Sequence, residues 1–171
     1  MAPNREQVKF LQDELFSLTL MATVQRARVY VEGAPDQGRR AFQNSLRREL
    51  ERLVLEYKSQ VSENRHESNI ILLADTLSRE HANVLTEGRF RIGNSQKALN
   101  LYLKYYWCLG EIDIPPHCPF DYKIIGLLPD IGRVKWTELD DISTYQGVVR
   151  AAKQLARQTP LAVWELHAYN R

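Results

Sequence analysis

The 171 residues suffice for one domain that buries its own core without metal or disulfide staples, and 44% hydrophobic with 26% charged residues excludes disordered, collagen-like and coiled-coil classes. A formal net charge of +2 neither demands nor forbids a polyanionic partner, so any nucleic-acid role must rest on where basic residues cluster. Cys108 and Cys118 are expected to be reduced thiols.

The first segment, from Asn4 to about Tyr30, repeats Val8, Leu11, Leu15, Leu18 and Ala22 in the rhythm of an amphipathic helix. Its end, TVQRARVYV, is rich in β-branched residues that also suit extended chain. Leu15 to Val24 is about half a membrane span and follows two acidic residues, so it is expected to be neither anchor nor secretion signal. This places the protein in the cytoplasm with no membrane partner.

Gly33, Pro35 and Gly38 break the chain, with Asp36 a helix cap. A second helix over about 37–62 carries the stripe Phe42, Leu46, Leu50, Leu53, Tyr57 and Val61. Ser62 to Asn64 caps a third helix that runs to about Thr86, with Ile70, Leu73, Ala74, Leu77 and Val84 facing the core, and Gly88 ends it. A central helix follows at about 94–109, apolar around most of its circumference, with Lys97, Asn100 and Lys104 on one stripe. Asp121 can cap a short helix, DYKIIGLL, which Pro129 and Gly132 stop, and Arg133 to Trp136 can be briefly extended. Asp140, Asp141 or Ser143 caps a helix through Tyr145, Val148, Val149, Ala152 and Leu155, and Thr159-Pro160 opens the last, PLAVWELHAYN. The fold class is therefore all-α: a compact bundle of about seven helices around the central one, forming one domain over residues 1–171.

The chemistry concentrates on that central helix. A lysine on an apolar helix must reach water, a carboxylate or a ligand, and a lysine held near an acid in a desolvated setting becomes a usable nucleophile. Ten residues of loop after Gly110 span up to about 33 Å, so Asp121 can return to either Lys97 or Lys104. A solvated face with snorkelling lysines explains the same stripe without chemistry. His117, between Pro116 and Pro119, is a candidate hydrogen-bonding or proton-transfer residue at the edge of such a site, or a satisfied structural histidine. A zinc site at His117 and Cys118 would need Cys108, His66 or His81, whose spacings match no zinc signature. No motif implies a cofactor. Arg150, Lys153 and Arg157, with Lys135 and Arg133 just before them, form a basic stripe suited either to a phosphate backbone or to solvent.

The order Ile92-Gly93, Gln96-Lys97-Ala98, then Pro119-Phe120-Asp121 opening another helix, resembles the catalytic region of helix-hairpin-helix DNA glycosylases with lyase activity. The resemblance implies an all-helical fold that extrudes a damaged base from DNA, with Lys97 as Schiff-base nucleophile and Asp121 as assisting acid. It spans about 30 residues, lacks the family's Gly-x-Gly turn and leaves Lys104 as the alternative nucleophile. QKALNLYLKY followed by PPHCPFD also resembles uncharacterised bacterial proteins, which implies no function. The rival expectation is a non-enzymatic interaction protein. It would bury the Trp107-Cys108 side and the helix from Leu161 to Tyr169 against a second copy or another chain.

Overall fold

The computed structural model describes residues 4–129, 131 and 134–170. Among them are seven α-helices and no strand; the one β-contact is an isolated bridge between Tyr30 and Leu85. Helix α1 (Arg5–Leu20) starts on Asn4, whose side chain accepts from the Gln7 amide while the Gln7 side chain accepts from the Asn4 amide. It ends ten residues earlier than the periodicity suggests, passing into a π-helical turn at Met21–Gln25. The end of the β-branched tail, Val29–Val31, leaves the helix because its backbone groups find partners elsewhere: the Val31 amide donates to the Val84 carbonyl, and the Val29 carbonyl accepts from the Thr86 amide.

Helix α2 (Asp36–Val54) begins one residue earlier than a capping Asp36 would require, since Pro35 holds the cap position; a 3₁₀ turn, Leu55–Lys58, follows it. Its stripe of Phe42, Leu46, Leu50 and Leu53 is fully buried against α3 (Glu63–His81), which Ser62 caps. A 3₁₀ turn at Thr86–Gly88 then leads into α4 (Ile92–Cys108).

Every residue of α4 from Ile92 to Leu103 is buried, and the helix packs on α1, the π turn, α2, α3 and α6. It starts two residues before the sequence suggests, because a distant loop satisfies its first amides: Ile92 donates to Asp140 Oδ1 and Gly93 to the Leu139 carbonyl. Gly93 lies in the first turn rather than ahead of it. A Cβ there would fall 1.7 Å from the Trp136 carbonyl oxygen, so only glycine lets that loop close on the helix.

Helix α5 (Tyr122–Ile125) is a single turn, shorter than DYKIIGLL implied. The expected stop at Gly132 and the start of the extended piece at Arg133 lie outside the described residues, and Val134–Lys135 form no strand. Asp141 caps α6 (Ile142–Ala156), and Pro160 caps α7 (Leu161–Tyr169), which lies on α5 and α6. No helix among the described residues is long and apolar enough to cross a membrane.

Candidate active site

The site is built by two consecutive residues of α4 meeting two consecutive residues of the proline loop. Gln96 is buried and acts as a peptide-like clamp, donating through Nε2 to the Phe120 carbonyl at 2.8 Å and accepting from the Phe120 amide at 3.2 Å. This fixes the next residue, Asp121, opposite Lys97. Asp121 Oδ1 caps α5 by accepting from the Ile124 amide at 3.1 Å, and its Oδ2 accepts from Lys97 Nζ at 2.8 Å. Lys97 is only 6% exposed. Burial works to raise the Asp121 carboxyl, but the Lys97 ammonium and the helix amides outweigh it and hold the group below the usual aspartate value.

Two turns further along α4, Lys104 Nζ lies 2.8 Å from Glu165 Oε2 and 3.0 Å from Oε1. Each lysine thus has its own acid, and Lys104 is not the partner of Asp121. Glu165 is buried on α7, and burial raises its carboxyl even though Lys104 pulls the other way. The Tyr169 ring stands 4.6 Å from Lys104 Nζ and 4.7 Å from Lys123 Nζ, within cation–π range of both.

Both ion pairs open onto one cavity of about 560 Å³. Among the described residues, Arg26, Lys97, Lys104 and Lys123 line it against Asp121 and Glu165 as acids, with Tyr105, Tyr122, Trp136 and Tyr169 supplying aromatic surface. The volume lies within the ordinary range of ligand pockets. A positively biased hollow with aromatic walls and an amine–carboxylate pair suits an anionic or electron-poor ligand with a planar part.

Asn100 and His117, expected beside the lysines, lie instead in the protein interior and do not line the cavity. His117 Nδ1 shares a hydrogen bond of 2.8 Å with the Tyr145 hydroxyl, to which Asn100 Nδ2 also donates. The His66 ring packs edge-on against His117 at 4.7 Å, and its Nδ1 meets the Tyr57 hydroxyl at 2.7 Å. Burial depresses both imidazoles, and with the Lys153 charge nearby His117 falls to about 3. His117 is therefore neutral near pH 7 and sits away from the cavity edge, which removes it from proton transfer at this site.

The basic stripe is partly spent on acids: Lys153 pairs with Glu63, and Lys135 with Glu138 at 3.0 Å. Arg150 and Arg157 are exposed, and none of the four lines the cavity; Arg133 lies outside the described residues. Cys118 is buried, Cys108 is exposed, and no group of three or more metal-ligating side chains converges among the described residues. Leu161, Ala162 and Glu165 of α7 are already buried within the chain, so that face of the helix serves the monomer.

Sequence reasoning missed Gln96, Lys123, Glu165 and Tyr169. Glu165 left a signal, as the lone acid in the apolar run LAVWELHAY. Comparison of the chain with protein-family models, with curated proteins and with solved structures gives no match.

Proposed function

We propose that this protein is a DNA glycosylase/lyase-like enzyme in which Lys97 is the amine nucleophile and Asp121 the carboxylate that takes and returns its proton. The observation that carries this reading is the Lys97–Asp121 pair, 2.8 Å apart and opening onto a cavity large enough for an extruded nucleotide. Tyr105, Tyr122 and Tyr169 offer flat surface to a base or sugar, and the surplus of cations favours a phosphate-bearing ligand.

In the open cavity the pair rests as ammonium and carboxylate. A bound nucleotide that displaces water favours the neutral amine and acid, because two charges lose more hydration than their contact returns. The proton then moves from Nζ to Oδ2, and the freed amine adds to the C1′ aldehyde of an abasic deoxyribose. Asp121 returns its proton to the carbinolamine hydroxyl, which leaves as water and gives the protonated Schiff base. The Asp121 carboxylate, freed of its proton, then takes one from C2′, and the electron pair left behind expels the 3′ phosphate with the C–O electron pair. The two thiols carry no disulfide, in keeping with work in the reducing cytoplasm.

Sodium borohydride trapping on a duplex with one abasic site tests the proposal. Wild type is expected to form a covalent adduct that Lys97→Gln abolishes, Lys104→Gln retains and Asp121→Asn slows by about a hundredfold or more, the range for losing a positioned proton carrier. Absence of an adduct, or one that survives Lys97→Gln, overturns it.

A further inference from the structure

We propose that Arg26, Arg28 and Arg91 form the seat for the DNA phosphodiester strand that leads into the Lys97–Asp121 cavity; the inference rests on the base-excision reading above. A groove of about 360 Å³ contains these three arginines together with Thr86, Tyr122 and Thr137. It shares Arg26 and Tyr122 with the cavity, so the two hollows adjoin on either side of these side chains. A strand whose nucleotide occupied the cavity would have to leave along a neighbouring depression, and this one is lined with cations.

The charge balance of the groove is one-sided. Its single acidic lining residue among the described residues, Glu138, is engaged by Lys135 at 3.0 Å. Arg26 and Arg28 are exposed, and among the described residues neither has a carboxylate within ion-pair distance. Arg91 is held in place by Glu87 and by a bond of 3.2 Å to the Thr137 carbonyl, which orients its guanidinium and leaves a planar donor group at the groove wall. The Arg150–Arg157 stripe has no comparable setting, because it borders neither hollow.

The backbone supports the same placement. Arg28 adopts φ +47, a left-handed conformation that a long side chain seldom takes. Thr86 holds it there, donating from Oγ1 to the Arg28 carbonyl at 2.8 Å and from its amide to Val29 at 2.9 Å. The second clamp draws on the Tyr30–Leu85 bridge region, so Arg28 projects from a fixed loop rather than a fraying helix end.

The test is the salt dependence of binding to a duplex containing a tetrahydrofuran abasic analogue, which binds but does not react. Each phosphate neutralised contributes a slope of about 0.9 in log affinity against log salt. The variant Arg26→Gln/Arg28→Asn, with asparagine chosen because it tolerates left-handed backbone, is expected to lower the slope by nearly two. The charge-matched control Arg79→Gln/Lys58→Gln is expected to leave it unchanged. Circular dichroism of each variant confirms that the comparison is between folded proteins. An unchanged slope in the arginine variant, an equal fall in the control, or no salt-dependent binding by wild type overturns the inference. A borohydride adduct from wild type with an unchanged slope in the arginine variant removes the groove and keeps the lyase reading. A slope that falls as expected without any adduct keeps the groove and removes the lyase reading.

Discussion

Breaking the Lys97–Asp121 pair from either side should cost stability that removing both partners gives back. Asp121→Asn keeps the amide-accepting oxygen that caps α5, so the cap survives while the 6%-exposed Lys97 loses its counter-charge. One-sided loss of a buried pair costs about 3–5 kcal/mol, and the 19% side-chain exposure of Asp121 lets water soften this to about 2–3 kcal/mol. Lys97→Met retains the packing of the stem and strands a more exposed carboxylate, for about 1–2 kcal/mol. The double variant, with neither charge left, should lose only about 1 kcal/mol, which makes the coupling between the sites about 2 kcal/mol or more. Urea unfolding of the four proteins measures each value, and thermal melting should place Asp121→Asn about 4–10 °C below wild type for a chain of this size. Losses that simply add, with coupling under about 0.5 kcal/mol, would refute a desolvated and mutually dependent pair.

Gly93→Ala places a methyl group against the Trp136 backbone carbonyl, which cannot swing aside, and should destabilise by about 3 kcal/mol or more. Melting within about 2 °C of wild type would contradict that packing. His66 and His117 have imidazoles depressed below their unfolded value of 6.5, so the unfolded chain binds more protons below that pH. Their contribution is complete above about pH 6.5 and declines as pH falls through the window that ends near 3 for His117, by up to about 1.4 kcal/mol per pH unit for each ring. Urea titrations between pH 7 and 5 should show a shallower slope in His117→Asn than in wild type, and identical slopes would sink the assignment. Of the two thiols, Cys108 is exposed, whereas burial pushes the Cys118 thiol far above its ordinary value. Native protein should therefore titrate one thiol rapidly with a disulfide reagent, and two equally fast thiols would contradict the burial of Cys118.

The all-α class and the α2 and α3 stripes were legible because a 3.6-residue period fixes both helix type and buried face. The pairing of a lysine with Asp121 could be framed from sequence because a cation on an apolar helix needs a partner, and a loop aspartate stood within reach. Which lysine it meets could not. That depends on the Gln96 clamp on Phe120, a side-chain-to-backbone contact across 24 residues that leaves no periodic trace. Glu165 pairs with Lys104 only because of how α7 lies across the bundle, and docking geometry is not written in local pattern. Which of its two expected roles His117 fills was hidden for the same reason: the proline loop folds inward onto Tyr145 and His66, which makes it the satisfied structural histidine and not the residue at the edge of the site. The early end of α1 was foreshadowed by its β-branched tail, while the left-handed Arg28 depends on Thr86, far along the chain.

Peptide mapping of a borohydride-reduced reaction with abasic DNA puts the nucleophile to the most direct test. An adduct on Lys97 blocks tryptic cleavage there, so the modified peptide should run over residues 92–104 and carry the added mass on Lys97. Mass on Lys104, on the α-amino group or on no residue at all would contradict an amine made reactive by its pairing with Asp121.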